Sequence, residues 1–256
     1  MKARLVKGVC AFCFALVAGI AAQAGDFKGF YIGGSVGGAH GSSDARTSTV
    51  FSPTGYFASS SVPAIATVGV QSPSANGFSG GGQIGYNFQS GNFLLGFEVD
   101  GGAMNVSQKA TGSATYPCCA PTAFTITQTV ETTWLLTARP RVGVVAGPVL
   151  LYGTGGLAVA DFDYQSLFTD TFATAHENGG VIEKRAGWTA GAGAEFKVNR
   201  RWSIKGEYLY ASFGSETTTS TNLTAFTPRI AFPSNVFTHT ADLHAHVFRF
   251  GFNVFF

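Results

Sequence analysis

From residue 29 onward, apolar and small or polar positions alternate in stretches of about ten, the period of strands with one face in lipid and the other toward a polar lumen. The C-terminal stretch carries the pattern most plainly. Phe248, Phe250, Phe252, Val254 and Phe256 share one face, and Arg249, Gly251 and Asn253 share the other with Val247 and Phe255. Upstream, Phe30, Ile32 and Val36 oppose Gly33, Ser35 and Gly37, while Phe78, Ile84, Tyr86 and Phe88 oppose Ser79, Gln83 and Asn87. Phe93, Leu95, Phe97 and Val99 oppose Glu98 and Asp100. Trp134, Leu136, Ala138 and Val142 oppose Thr133, Thr137, Arg139 and Arg141, with Pro140 weakening one stretch of that ladder. Trp188, Ala190, Ala192, Ala194, Phe196 and Val198 oppose Thr189, Glu195 and Lys197; Trp202, Ile204, Tyr208 and Tyr210 oppose Ser203, Lys205 and Glu207. A glycine-rich stretch near 149–161 is the faintest of the eight.

The gaps between these stretches alternate in length. Gln89 to Asn92, Ala146 to Pro148 and Asn199 to Arg200 are short; residues 40–76, 104–130, 162–183 and 214–241 are long. Short connections at one rim and long ones at the other predict an all-β fold: an eight-stranded antiparallel transmembrane up-and-down β-barrel with short periplasmic turns and four long extracellular loops. A soluble barrel would turn its apolar face inward, whereas here the charges lie on the face with the glycines. Trp134, Trp188 and Tyr210 fall near the long-loop ends, and Tyr86, Trp202 and Phe256 near the short-turn ends, as two interfacial girdles would require.

Composition narrows the picture further. Charged residues make up only 12% of the 256, against about 25% in an ordinary soluble domain. The 34 glycines have no three-residue period, and 45% hydrophobic content excludes a disordered chain. Lys2, Arg4 and Lys7, an apolar run over 8–20, and Ala22-Gln23-Ala24 form a secretory leader, so residues 1–24 are expected to be cleaved and 25–256 to form the barrel domain. The exported part then holds 13 basic and 14 acidic residues and no basic cluster of the kind nucleic acid needs.

Glu98, Asp100, Arg139, Arg141, Glu195, Lys197, Lys205, Glu207 and Arg249 all face inward in this reading. A barrel of eight strands is just wide enough for side chains to fill, so the nine are expected to pair into a network that plugs the lumen; a narrow, weakly selective pore lined by the same ring is the alternative. Cys118 and Cys119, between Pro117 and Pro121, leave a vicinal disulfide and an intermolecular bridge both open, and they lack the Cys-x-x-Cys spacing of a redox site. Gly153-Thr154-Gly155-Gly156 has no following Lys-Ser/Thr and is no phosphate loop. No serine, histidine and acid fall at a recognisable catalytic spacing. A non-enzyme without metal or cofactor is expected.

Gly29-Phe30-Tyr31-Ile32-Gly33-Gly34, Gly82-Gln83-Ile84-Gly85-Tyr86-Asn87, Leu151-Tyr152-Gly153-Thr154-Gly155-Gly156-Leu157-Ala158, Gly187-Trp188-Thr189-Ala190-Gly191-Ala192-Gly193 and Lys205-Gly206-Glu207-Tyr208-Leu209-Tyr210 occur in that order. Over nearly all of 25–256 the chain resembles the porin-like eight-stranded outer-membrane β-barrel family of alpha-proteobacteria, the rhizobial and Brucella-type surface proteins and immunogens. The resemblance implies the outer membrane of a Gram-negative cell and lipid and lipopolysaccharide as surroundings. It also implies recognition of the terminal Phe256 by the outer-membrane assembly machinery. With no peptidoglycan-binding domain after the barrel, direct tethering to the wall is not expected. The function implied is membrane integrity and presentation of a cell-surface face, with a small diffusion porin or a surface ligand-binding protein as alternatives. Self-association is left open by the lipid-facing phenylalanines. His40, His239, His244 and His246 fall toward the outer rim; gathered there they would suit zinc, or the haem that some relatives are said to bind, but no carboxylate or cysteine completes a known ligand spacing, and solvated rim histidines are the reading preferred.

Overall fold

A computed structural model describes residues 25–256; the leader expected at 1–24 lies outside the described residues. In chain order the elements are β1 (Gly29–Ser42), β2 (Ala45–Thr49), a short helix α1 (Ser61–Val68), β3 (Val70–Gln71), β4 (Ser74–Ser90), β5 (Phe93–Thr115) and β6 (Ala123–Ala146). There follow β7 (Val149–Asp170), β8 (His176–Lys197), β9 (Trp202–Ser220), β10 (Thr224–Ala225), β11 (Ile230–Ala231) and β12 (Phe237–Phe255). Antiparallel pairing runs β1–β4–β5–β6–β7–β8–β9–β12 and returns to β1, where Tyr31 faces Phe255 and Ser42 faces His244. This is the eight-strand ring of a transmembrane barrel.

Three turns close one end. Gly91 and Gly147 take positive φ in the first two, at +58° and +57°, where a side chain would be strained. In the third, Asn199 Oδ1 accepts from the amides of Arg201 and Trp202 at 2.8 and 2.9 Å, an Asx turn that reverses the chain without glycine.

At the other end the strands run much further than the alternation suggests. A transmembrane strand needs about 9–11 residues, yet β5 to β8 have 22 to 24. Most of 104–130 and 162–183, expected as loop, is therefore strand, and the connections shrink to 116–122 and 171–175. The physical reason lies in the outward face. Above the apolar band the two faces exchange polarity: polar residues turn outward, among them Thr and Ser that pair across strands (Thr111 with Thr127 at 3.1 Å, Ser113 with Thr125 at 2.8 Å, Thr217 with Thr240 at 2.9 Å), while Phe124, Ile126, Val130, Phe162 and Phe168 turn inward, so the apolar-out alternation of the lipid band does not continue. Below that level the outward residues are lipid-type: Phe93, Leu95, Leu157, Phe196, Ile204, Phe248 and Phe250 are all exposed, Phe250 at 75%.

The ring is uneven. The β8–β9 ladder ends at Trp188↔Ser212, although β7–β8 continues to Thr169↔His176 and β9–β12 to Ser220↔Phe237. Across the unpaired stretch Arg185 substitutes for ladder bonds: its Nη2 donates to the carbonyls of Phe213 and Ser215 at 3.3 and 3.0 Å, and its Nη1 to Glu183 and Glu216. Pro140 leaves the register of β6 unchanged on both sides, and the Thr154 hydroxyl donates to its carbonyl at 2.9 Å. A bulge at 132–134 shifts β6 by one residue against β7. Its freed amides are taken by Asp161, which accepts from Thr133 and Trp134 at 2.8 and 3.1 Å.

Candidate functional site

The inward faces stack in layers from the turn end to the loop end. The first is apolar: Phe27, Tyr31, Leu94, Val145, Leu150, Tyr152 and Phe255. The second holds the charges. The third is again apolar, with Met104, Val106, Val130, Leu135, Phe162, Leu209, Leu243 and Val247 among its members. A polar layer and an aromatic cap follow.

In the charge layer four cations meet four carboxylates, all nearly inaccessible to solvent. Arg139 Nη2 donates to Glu98 at 2.8 Å and to Asp100 at 2.6 Å, and it stands 3.4 Å from Glu207. Arg249 donates through Nη1 to Asp100 at 2.7 Å and through Nε and Nη2 to Glu207 at 2.9 and 2.8 Å. Lys205 Nζ donates to both Glu98 oxygens at 2.9 Å. Arg141 reaches Glu195 at 3.2 Å and Asn87 at 2.9 Å, with its guanidinium over the rings of Tyr31 and Tyr152. Neutral donors complete the carboxylates: Tyr31 Oη to Glu98 (2.8 Å), Thr137 Oγ1 to Asp100 (2.5 Å), Tyr152 Oη to Glu207 (2.9 Å), Asn253 Nδ2 and Ser203 Oγ to Glu195. Burial of this kind is tolerated only when every charge is paired.

Space for these long side chains comes from glycines on the facing backbone. A Cβ on Gly85 would run into the Tyr31 hydroxyl, and one on Gly96 into Asn87 Oδ1. Beside Asp100 and Arg249, at the wall formed by Gly80–Gly82 and Gly101–Gly102, lies a void of 10 Å³. A single water is the most such a space holds.

Eight of the nine inward residues expected from the alternation therefore lie in one layer. Lys197 does not. It ends β8 at the turn-side mouth, half-buried, with Nζ 3.1 Å from the Phe255 ring centroid and 5.1 Å from that of Phe27, and it makes no ion pair among the described residues. Being two residues past Glu195 keeps it on the inward face but carries it about 7 Å toward the rim, beyond the carboxylates.

The four histidines do not gather. His239 points inward and is fully buried, with Nδ1 at 3.1 Å from Thr47 Oγ1 and Nε2 at 3.0 Å from Ser220 Oγ and 3.3 Å from Glu177. His244 and His246 point outward, hydrogen-bonded to Tyr210 and Tyr208 at 2.9 and 2.7 Å; His40, bonded to Asn76, lies tilted beside His246 at 6.4 Å between ring centroids. An odd separation along the strand, 239 against 244 and 246, places side chains on opposite faces. No group of three or more His, Cys, Asp or Glu able to hold a metal occurs among the described residues. Ser220, His239 and Glu177 do not form a relay either, because serine and acid share one imidazole nitrogen, whereas a relay needs the acid on the other.

Two features of the loop end escaped the alternation. Thr47, Gln128, Tyr164, Ser166 and His239 form a buried polar layer. Above it Phe57, Ile65 of α1, Tyr116, Phe124, Phe168 and Phe237 close the mouth with an aromatic cap. Asp170 fastens the cap: it accepts from Tyr56 Oη at 2.5 Å, from Tyr116 Oη at 2.9 Å, and from the amides of Ala173 and Ala175. Burial, reinforced by the Asp170 carboxylate, holds both phenols well above the usual tyrosine range. Cys118 and Cys119 form a vicinal disulfide in the 116–122 connection, beside Ser61 at the start of α1.

The family model for the outer membrane protein beta-barrel domain matches residues 10–256. The 31 kDa outer-membrane immunogenic protein of Brucella melitensis is 36% identical over 143 residues, which cover 55% of each chain. The 22 kDa outer membrane protein of Rhizobium leguminosarum bv. viciae is 31% identical over 140 residues, covering 53% of this chain and 54% of that one. The chain thus spans about half the length of the curated relatives it matches. Among solved structures, the outer membrane protein OprG from Pseudomonas aeruginosa is 9% identical with a TM-score of 0.38, covering 91% of this chain and 98% of that one. The outer membrane protease OmpT from Escherichia coli is 9% identical with a TM-score of 0.39, covering 89% and 97%.

Proposed function

The chain belongs to the outer membrane protein beta-barrel domain family and is a protein of the Gram-negative outer membrane; from that premise we propose that it is a filled, non-conducting barrel that reinforces the membrane and presents its long-loop end as a cell-surface interaction face. The observation that carries this reading is the layered lumen. A hydrated pore needs a continuous polar path, and here two apolar layers and an aromatic cap alternate with polar ones around a charge layer whose void holds about one water. The role is non-catalytic. Outer-leaflet lipid and lipopolysaccharide are the partners of the apolar band, and Phe256 is the residue the assembly machinery would read.

Single-channel recording of the refolded protein in a planar bilayer tests it, after a boiled-against-unboiled gel has confirmed folding. Silence from folded protein is expected. Discrete steps of reproducible size would overturn the filled-lumen reading and assign the charge layer to ion selection.

A further inference from the structure

Charge is distributed unequally along the barrel axis. Of the residues from 25 onward, the lumen layer uses four cations and four acids, leaving nine acids against five cations on the loop side. The turn side carries Lys28, Lys197, Arg200 and Arg201 against the side chain of Asp26 alone. These four cations make no ion pair among the described residues. They surround a two-lobed recess of 360 and 430 Å³ whose lobes share Asp26, Lys197 and Arg200. The Asx turn at Asn199 presents Arg200 and Arg201, both exposed, at its edge.

The recess opens directly below an aromatic girdle. Phe256, 78% exposed, packs against Phe30 at 6.0 Å between centroids, and Trp202 stacks on Phe252 at 6.1 Å. Aromatic girdles mark the headgroup level of a bilayer, and basic pockets at that level recruit acidic lipid headgroups.

We propose that this recess binds the headgroup of an anionic phospholipid of the periplasmic leaflet. The phosphodiester sits among Arg200, Arg201 and Lys28, and the acyl chains lie along Phe256 and Phe30. Lipopolysaccharide, although anionic, occupies the opposite leaflet, beside the acidic half of the chain.

The test is native mass spectrometry of the folded protein released from vesicles of phosphatidylethanolamine mixed with phosphatidylglycerol, counting the lipids that stay bound. Enrichment of phosphatidylglycerol is expected, reduced about 30-fold by the pair Arg200→Gln and Arg201→Gln. The pair Arg200→Lys and Arg201→Lys, and the loop-side pair Lys109→Gln and Arg229→Gln, should retain it. Absence of enrichment in the unaltered protein overturns the proposal, as does enrichment that survives the glutamine pair. Displacement of the lipid by inorganic phosphate at matched charge would reduce the site to a phosphate site and overturn the lipid assignment. Binding to isolated cell-wall sacculi without lipid preference would assign the recess to the wall polymer instead.

Discussion

Truncating Arg249 to alanine should destabilise the barrel strongly, and the structure says where the cost arises. The side chain makes three hydrogen bonds to two buried carboxylates, Asp100 and Glu207. Without it, Asp100 keeps Thr137 and Arg139, whereas Glu207 keeps only Tyr152 and a 3.4 Å approach of Arg139. A layer of four cations and four anions becomes one anion in excess, among side chains that are nearly inaccessible to solvent. Removing one partner of a buried ion pair costs about 3–5 kcal/mol. The sign of a second substitution then follows. Glu207→Gln, added to Arg249→Ala, cancels the excess charge and should recover about 1–2 kcal/mol, so the double variant is more stable than the single one. Urea unfolding in lipid vesicles, followed by the fluorescence of Trp134, Trp188 and Trp202, measures both differences. The reasoning fails if Arg249→Ala lies within about 0.5 kcal/mol of the unaltered protein, the range of an inert surface change, or if the double variant is the less stable of the two.

Further outcomes concern the glycine wall and the cap. Gly85→Val drives a side chain into Tyr31 and breaks its bond to Glu98, and should cost about 1–3 kcal/mol by urea unfolding. Gly82→Ala, whose Cβ meets nothing closer than 3.8 Å, should stay within about 0.5 kcal/mol. The phenols of Tyr56 and Tyr116 remain protonated in the folded cap above the pH at which unfolded tyrosine ionises, about 10. Their contribution to stability is therefore complete below pH ~10 and is lost as pH rises beyond it. In a tyrosinate absorbance titration, read as the difference between the unaltered protein and the Tyr56→Phe, Tyr116→Phe variant, these two phenols should stay silent until the cap opens, and Asp170→Asn should bring that opening to lower pH.

Much of the barrel is legible in the chain because β periodicity is local. The parity that puts Phe248, Phe250 and Phe252 into lipid also puts Arg249 into the lumen, with no knowledge of any partner strand. Parity also separates His239 from His244 and His246, a signal present in the sequence although proximity along the chain argues the other way. The outer strand segments are harder to read because their alternation changes sense, with Phe124, Ile126, Val130, Phe162 and Phe168 turned inward and polar residues outward, so the apolar-out pattern of the lipid band stops there. The cap is not periodic at all: Phe57, Ile65, Tyr116 and Phe237 come from four separate stretches that meet only when the ring is formed.

What the sequence determines by itself is thus the fold, the lipid-facing band and the inward set of charges, since each follows from alternation and from the lengths of connections. Which carboxylate meets which cation is decided only in the tertiary structure. Glu98 lies between Arg139 and Lys205, and Lys197 is left outside the layer, because strand stagger sets the height of each residue along the barrel axis. Ring closure likewise brings Lys28 to the same rim as Arg200 and Arg201, which lie at least 172 residues further along the chain. Height and closure are properties of the assembled ring, and no single strand carries them.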